Sequence, residues 1–217
     1  MSDTSPVLLW LRRDLRLSDH PALAAAVARG GPVIPLFIHD DSVADLGTAP
    51  QWRLGLGLGT LDRALRDRSS RLILRRGDAL EVLRALIAET GARAVYWTRL
   101  YDPAAQTRDS AVKEALKAEG IEARSFGGHL MFEPWTVETK TGGYYKVYTP
   151  MWNAVRGRDV DTPLAAPATI PAPASWPASD QLAEWKMGAA MDRGSEVVRP
   201  HVRLGEQAAQ DRLAAFI

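Results

Sequence analysis

The chain opens with an apolar run that passes directly into a dense cluster of charges. Residues 7–11 read Val-Leu-Leu-Trp-Leu, and residues 12–21 read Arg-Arg-Asp-Leu-Arg-Leu-Ser-Asp-His-Pro. A short continuous apolar run is typical of a strand buried on both faces, and here the charges follow the carboxyl end of that strand. In open α/β sheets, ligands bind at that end of the strands. The opening therefore predicts a buried parallel strand followed by a polar, glycine-free binding loop.

Four further runs of strand length follow, separated by segments with helical periodicity. The predicted strands are Val7–Leu11, residues 33–38, 72–74 and 94–97 and, more weakly, Glu122–Phe126. Regular alternation of this kind predicts an α/β fold with a doubly wound, five-stranded parallel sheet of the Rossmann-like class. The right-handed crossover rule places the first strand in the middle of the sheet. Pro35 argues against a strictly central position for the second strand, because proline cannot donate to a ladder.

Cap residues and glycines set the predicted helix boundaries. Ser18 or Asp19 would cap a helix over residues 22–28, and Asp102 with Pro103 would start a helix that ends at Gly120. The run Gly-Leu-Gly-Leu-Gly at residues 55–59 allows two interpretations, a nucleotide-binding turn or a helix packed closely on the sheet. Packing is favoured, because the dinucleotide fingerprint needs its glycines in the first strand–helix turn.

The alternation stops near residue 130. A short hairpin or turn is expected over residues 137–148, and Thr149-Pro150 would start a short helix. Five prolines between residues 158 and 180 predict an extended connector. A last helix is expected from near Gly205 to Ile217, where its pattern is cut before any cap.

Composition narrows the class of protein. The chain has 217 residues, and 27 Lys and Arg against 26 Asp and Glu give a net charge of +1, so contact with nucleic acid would need a local patch. The absence of cysteine excludes disulfides and thiolate metal sites and favours the cytoplasm. The four histidines lack the spacing of metal ligands, and no apolar run reaches the ~20 residues of a membrane span.

Loops from successive strand ends are expected to converge on one crevice. The candidate ligand-binding residues there are Arg12, Asp14, Phe37, Asp40, Arg53 and Tyr101. An apolar floor with a few polar groups at its rim suits a planar ligand, and the helix start at Asp102 favours an anionic one. Two plainer interpretations stay open: residues 12–16 form an ordinary solvated loop, or Asp102 is only a helix cap. No residue of this chain is expected to bind a metal.

Seven tryptophans are more than the core of one such domain needs. Four of them lie outside the strand–helix alternation, namely Trp135, Trp152, Trp176 and Trp185. They either pack the connector onto the domain or meet a partner surface. Packing is favoured for most, with one or two left for a partner.

Two specific motifs about 130 residues apart resemble the DNA photolyase/cryptochrome family. Residues 10–16 (WLRRDLR) follow the first strand as the family's opening motif does, and residues 145–152 (YKVYTPMW) are similar to its x-x-V-F/Y-T-P-F-W segment. Residues 101–109 (YDPAAQTRD) agree as well. The resemblance covers nearly the whole chain.

The resemblance implies the N-terminal, light-harvesting part of a deoxyribodipyrimidine photolyase, a lyase that repairs cyclobutane pyrimidine dimers with light. Residues 1–132 would form the antenna domain, residues 133–200 the interdomain connector and residues 201–217 the first helix of an FAD-binding helical domain. The catalytic FAD would lie in that C-terminal domain, and a folate, deazaflavin or flavin antenna pigment would occupy the crevice. Damaged DNA and the chain's own helical domain would be the partners, with no membrane, and the present chain alone would be inactive.

Two alternatives accompany this interpretation. A cryptochrome-like blue-light photoreceptor shares the domain, and no residue here separates the two. A stand-alone nucleotide- or flavin-binding module is the second alternative, and the connector argues against it. Where some folate-binding members have Asn-Glu, this chain has Ala104-Ala105, which argues against folate at that particular position.

Overall fold

A computed structural model describes residues 4–217 of the chain. Its centre is a five-stranded parallel sheet, and the strands are β1 (Val7–Leu11), β2 (Val33–His39), β3 (Ile73–Arg76), β4 (Ala94–Thr98) and β5 (Glu122–Phe126). The strand order is β3-β2-β1-β4-β5, which confirms the predicted central position of β1. Val7 pairs with Val33 on one side and with Ala94 on the other.

Helices cover both faces of the sheet. In the described residues the α-helices are α1 (Pro21–Ala28), α2 (Asp41–Ala44), α3 (Thr48–Arg66), α4 (Ala79–Thr90), α5 (Pro103–Ala118), α6 (Tyr148–Val155), α7 (Arg193–Val198) and α8 (Gly205–Phe216). Leu9 of β1 packs with buried residues of α1 and α3, whereas Leu8 packs with buried residues of α4 and α5. This two-sided burial explains why β1 reads as a continuous apolar run.

Pro35 lies inside β2 without interrupting the ladder. The N–H of Val33 donates to the carbonyl of Pro171, and N–H groups alternate sides along a strand, so the nitrogen of Pro35 faces the same edge. Pairing with β3 begins only at Leu36, opposite Ile73. The missing donor of Pro35 is therefore not needed, and the second strand holds an internal position despite the proline.

Two predicted helix starts are wrong by one or two residues. The cap of α1 is His20, whose Nδ1 accepts a hydrogen bond from the N–H of Leu23 at 3.1 Å, and not Ser18 or Asp19. Asp19 instead bonds the connector (residues 133–200): its N–H donates to the carbonyl of Leu164 at 2.7 Å. Helix α6 begins at Tyr148, so Pro150 lies inside its first turn, where a missing N–H costs nothing.

The glycine-rich run lies inside α3, as predicted, but not against the sheet: Gly55 and Gly59 face the connector, and Gly57 faces Leu15 in the loop after β1. A Cβ built on Gly55 would lie 3.0 Å from Met187, and one on Gly59 would lie 3.7 Å from Leu182. Gly188 approaches α3 more closely still, since a Cβ there would lie 2.1 Å from Cβ of Trp52. Small residues on both elements let the connector dock on α3.

The connector runs along the free edge of β3. The N–H of Leu74 donates to the hydroxyl of Ser179 at 3.0 Å, and the N–H of Asp180 donates to the carbonyl of Leu74 at 2.9 Å. The side chain of Trp185 is buried against the core on the α3 side of the sheet. The connector thus caps an edge that would otherwise expose unpaired backbone groups.

The described residues contain no helix that is both long enough and apolar enough to cross a membrane.

Candidate functional site

A large crevice opens at the carboxyl ends of β1, β2 and β4. Its volume is about 1010 Å³, and its walls come from the loop after β1, from α2, α3 and the start of α5, and from the first turn of α8. Trp10 and Phe37 lie at its inner end and are almost fully buried, and Leu15 and Leu54 contribute apolar surface. Arg13, Arg53 and Asp102 contribute charge. The strand order changes direction between β1 and β4, which is where open α/β sheets bind ligands.

The loop after β1 is fixed by a buried ion pair. The Nη1 atom of Arg12 lies 2.7 Å from both carboxylate oxygens of Asp109 on α5, and Nη2 donates to the carbonyl of Thr98. Arg12 is 8 % exposed, so its charge is largely removed from water. Since a buried guanidinium requires a paired carboxylate, this contact locks the loop against α5.

Asp14 forms a second buried polar contact in the same loop. One of its oxygens accepts the N–H of Arg12 at 2.8 Å, and the other lies 3.0 Å from Nε2 of His20. Burial opposes ionisation of Asp14, but the imidazole of His20 and the N–H of Arg12 outweigh it and hold the pKa of this carboxyl well below its usual range. His20 therefore serves the loop twice, as cap of α1 and as partner of Asp14.

Two guanidinium groups flank the ring of Trp10. Arg12 lies 4.5 Å and Arg108 lies 5.0 Å from the ring centroid. Arg108 also pairs with Asp40 at the end of β2, where Nη1 and Oδ2 are 2.8 Å apart. These ion pairs and cation–π contacts hold the side chains around Trp10 in place, and they thereby fix the shape of this part of the crevice.

Two arginines at the outer rim of the crevice, Arg13 and Arg53, have exposed side chains with fewer contacts than Arg12 and Arg108. Arg13 is exposed and lies 3.3 Å from Asp102. Asp102 also caps α5 by accepting the N–H of Ala105 at 3.0 Å, and this bond, opposed in part by desolvation and aided by Arg13, lowers the pKa of its carboxyl. Arg53 is exposed on α3 and has no hydrogen bond or ion pair within residues 4–217. Its donors are therefore available to an anionic group in the crevice.

Five of the six predicted ligand-binding residues line this crevice: Arg12, Asp14, Phe37, Asp40 and Arg53. Tyr101 does not, because its side chain turns toward a neighbouring cavity and its hydroxyl donates to Glu133 at 2.8 Å. Asp102, the next residue, takes the place at the crevice. Tyr101 therefore lies on the side of its loop that faces away from the crevice.

Trp10, Arg108 and Asp109 also contribute to the site, although none of the three was among the predicted ligand-binding residues. Asp109 is 97 residues from Arg12 in the sequence, so no local spacing links the two. A signal was nevertheless present, because Asp102, Ala105 and Arg108 recur at intervals of three residues from the start of α5. Residues at that interval share one face of a helix, and all three line the crevice.

Helix α8 closes one side of the crevice through Glu206. Its carboxylate accepts the N–H of Leu17 at 2.7 Å and the N–H of Ser18 at 2.9 Å, and it also bonds the Ser18 hydroxyl. Partial burial opposes ionisation, but these bonds win and lower the pKa of Glu206. The loop after β1 is therefore joined to the last helix as well as to α5.

Several carboxylates in and beside the crevice are held in ion pairs. Asp14 and Asp40, which line the crevice, are paired with His20 and Arg108, and Asp109, which lines the neighbouring cavity, is paired with Arg12. Three further carboxylates line the crevice without an ion pair among residues 4–217, namely Asp41, Asp45 and Asp78. Residues 4–217 contain no cluster of three or more His, Cys, Asp or Glu that could hold a metal ion. An apolar inner end with cations at the mouth suits a planar ring system that carries an anionic group.

Comparison with known proteins agrees with the motifs. Residues 7–172 match the family model described as DNA photolyase. The chain is 44 % identical over 215 residues to a deoxyribodipyrimidine photo-lyase of Agrobacterium fabrum, an alignment that covers 99 % of this chain and 45 % of that protein. It is 37 % identical over 169 residues to cryptochrome-1 of Arabidopsis thaliana, covering 75 % of this chain and 25 % of the relative.

A solved structure gives the same result for the fold. The crystal structure of a bacterial class III photolyase from Agrobacterium tumefaciens superposes with a TM-score of 0.82 at 47 % identity, covering 85 % of this chain and 39 % of that one. The chain thus spans less than half the length of these relatives.

Proposed function

Since this chain belongs to the DNA photolyase family, we propose that it is the light-harvesting part of a deoxyribodipyrimidine photolyase and that its crevice holds an antenna pigment. The observation that carries the proposal is the crevice itself. It lies at the switch point of the sheet, has a volume of about 1010 Å³ and joins apolar surface to Arg53, which has no partner within residues 4–217. A folate, a deazaflavin or a flavin has the matching form, a planar ring system with an anionic extension.

The residues present fit such a pigment. Leu15, Leu46 and Leu54 offer apolar surface to a ring. Arg53 and Arg13 offer donors to a carboxylate or phosphate. A bound pigment would absorb near-ultraviolet or blue light and pass the excitation energy on. The work of the chain is to orient the ring, to exclude water from it and to hold its anionic tail at the rim.

The rest of the proposal concerns the longer protein. Residues 1–132 are assigned to the antenna domain, residues 133–200 to the connector and residues 201–217 to the first helix of a helical domain that binds the catalytic FAD. In that proposal the FAD-containing protein repairs cyclobutane pyrimidine dimers in DNA, in the cytoplasm, and the present chain supplies no catalytic residue. Enzymes of this kind owe their chemistry to the cofactor, and the protein places that cofactor against the substrate.

A blue-light photoreceptor is the second candidate, because the match to cryptochrome-1 spans 169 residues of the same domain. Light harvesting in the crevice is common to both candidates. Only repair separates them, and a repair assay on the full-length protein decides between the two.

The first experiment tests pigment binding by the chain itself. The purified chain is incubated separately with a reduced folate, a deazaflavin and FMN, passed through gel filtration, and examined by absorption spectroscopy. We expect one pigment to be retained at about one molecule per chain. Retention of none of the three would contradict the antenna proposal.

The second experiment tests the assignment of catalysis. The chain is mixed with FAD and a reductant, illuminated with an oligonucleotide that contains a thymine dimer, and assayed for intact thymine. No light-dependent repair is expected from this chain alone. Repair together with stoichiometric FAD binding would show that the active site lies within residues 1–217.

A further inference from the structure

A second cavity lies beside the crevice, on the α5 side of the sheet. Its volume is about 690 Å³, and it opens between the carboxyl ends of β4 and β5, helix α5 and the segment 134–144. Trp97 of β4 lines it, whereas Trp10 of β1 lines the crevice, and the two ring centroids are 6.0 Å apart. The two cavities are therefore neighbours separated by a pair of buried indole rings, and the antenna proposal uses only the first.

Aromatic side chains form the outer wall of this cavity. Trp135 is 57 % exposed and Tyr144 is 76 % exposed, although both belong to residue types that usually bury most of their surface. The guanidinium of Arg99 lies 5.0 Å from the ring centroid of Trp135 and holds that ring in place. Of the four tryptophans outside the strand–helix alternation, Trp185 is used for packing and Trp176 packs against the core, so Trp135 is one of the two left for a partner.

The positive charge of Lys113 is not paired with a carboxylate of residues 4–217. This lysine lies on α5 and lines the cavity, and within residues 4–217 it makes no ion pair or hydrogen bond. Burial, followed by the charges of Lys117 and Arg99, lowers the pKa of its ammonium group. By contrast, Arg99 is already paired with Glu133. Two carboxylates also line the cavity, and one of them, Asp109, is already paired with Arg12 and Arg108. The other, Glu138, forms no ion pair within residues 4–217, so Lys113 remains available to an anion.

Polar groups complete the lining. The hydroxyls of Ser110 and Ser125 and the amide of Gln106 border the cavity. The indole N–H of Trp97 is buried and has no acceptor among the described residues. Buried donors of this kind are normally satisfied, and none of residues 4–217 supplies the acceptor.

We propose that this second cavity is a binding site for a small nucleotide. Its base would stack on Trp135, whose ring is open to the cavity mouth, and its phosphate would pair with Lys113. Sites that bind nucleotides without reading the identity of the base commonly combine stacking on an exposed aromatic ring with a lysine for the phosphate. The site is independent of the antenna pigment, because none of the residues that carry it lines the crevice.

The experiment titrates AMP, adenosine and inorganic phosphate into the chain by isothermal titration calorimetry. AMP is expected to bind, with adenosine and phosphate each at least about tenfold weaker, because each lacks one of the two contacts. Lys113→Gln should weaken AMP about tenfold and leave adenosine unchanged. Trp135→Ala should weaken AMP about fivefold or more, and Trp135→Phe should restore most of the affinity.

Two control variants outside the cavity test whether the changes in AMP affinity are specific to this site. Lys117→Gln removes a charge from the same helix outside the cavity and should change AMP affinity by less than about twofold. Arg53→Ala, in the crevice, should leave AMP binding unchanged. AMP binding that survives both Lys113→Gln and Trp135→Ala, affinity equal for AMP and phosphate, or no binding at millimolar AMP would each overturn the proposal. None of these outcomes bears on pigment retention in the crevice.

Discussion

Arg12 and Asp109, 97 residues apart in the sequence, form a buried ion pair in which one guanidinium nitrogen lies 2.7 Å from each carboxylate oxygen. The pair joins the loop after β1 to α5 and thereby sets the width of the crevice between them. Replacing Asp109 by Asn would leave the Arg12 charge buried without its partner. We expect Asp109→Asn to lower the free energy of unfolding by about 3–5 kcal/mol, measured by urea denaturation.

A surface ion pair supplies the control for that measurement. Arg66 pairs with Asp62 one helical turn away on α3, and its side chain is mostly exposed. Arg66→Gln should change the free energy of unfolding by at most about 0.5 kcal/mol. A loss in Asp109→Asn that is no larger than in Arg66→Gln would contradict the role given to the buried pair.

Asp14 makes stability depend on pH in the acid range. Its pKa is lower in the folded chain than in the unfolded chain, where it is about 4. Its contribution is therefore complete above pH 5 and is lost as the pH falls toward the folded pKa. We expect the difference in unfolding free energy between the natural chain and Asp14→Asn to shrink steadily from pH 5 to pH 2. Asp161→Asn, at an exposed carboxylate, is the control, and a constant difference for Asp14→Asn would refute the prediction.

Gly188 is required where the connector crosses α3. Its φ is +73°, and a Cβ there would lie 2.1 Å from Cβ and 2.5 Å from Cα of Trp52. The backbone of α3 cannot yield, so Gly188→Ala should detach this part of the connector or cost about 1–3 kcal/mol. Limited proteolysis should then cut the connector faster, whereas Gly157→Ala, with open space around its Cα, should behave like the natural chain.

Glu206 couples α8 to the loop after β1. A glutamine at this position keeps one acceptor oxygen, so Glu206→Gln should lose one of the two backbone bonds to Leu17 and Ser18. We expect hydrogen exchange at those two amides to rise about tenfold, measured by NMR. Glu196→Gln, on α7, is the control, and unchanged exchange at residues 17 and 18 would show that α8 does not hold the loop.

The sheet could be predicted from the sequence because its signals are local. The run at Val7–Leu11 and the glycine-bounded helices determine burial, direction and order within short windows. The cap of α1 could not be predicted, because Asp19 was a better cap by residue type and only its bond to the connector at Leu164 removes it from that role. Contacts between distant segments decide such cases.

The site also contains features that local sequence predicts and features that depend on contacts between distant segments. Five candidate residues could be placed at the crevice because the carboxyl ends of parallel strands meet at one edge of the sheet. The ion pairs of Arg12 with Asp109 and of Arg108 with Asp40 depend on how α5 lies against the sheet, and no spacing encodes that. The direction of Tyr101 likewise depends on Glu133, 32 residues later.

The most direct test of the account is a fluorescence titration of the retained pigment into the natural chain and two arginine variants on α3. Arg53→Ala removes a donor at the crevice rim that has no partner within residues 4–217, and Arg66→Ala removes an exposed arginine of the same helix outside the crevice. The account predicts that Arg53→Ala raises the dissociation constant about tenfold and that Arg66→Ala leaves it unchanged. Equal affinity in all three proteins would contradict the assignment of the pigment to this crevice.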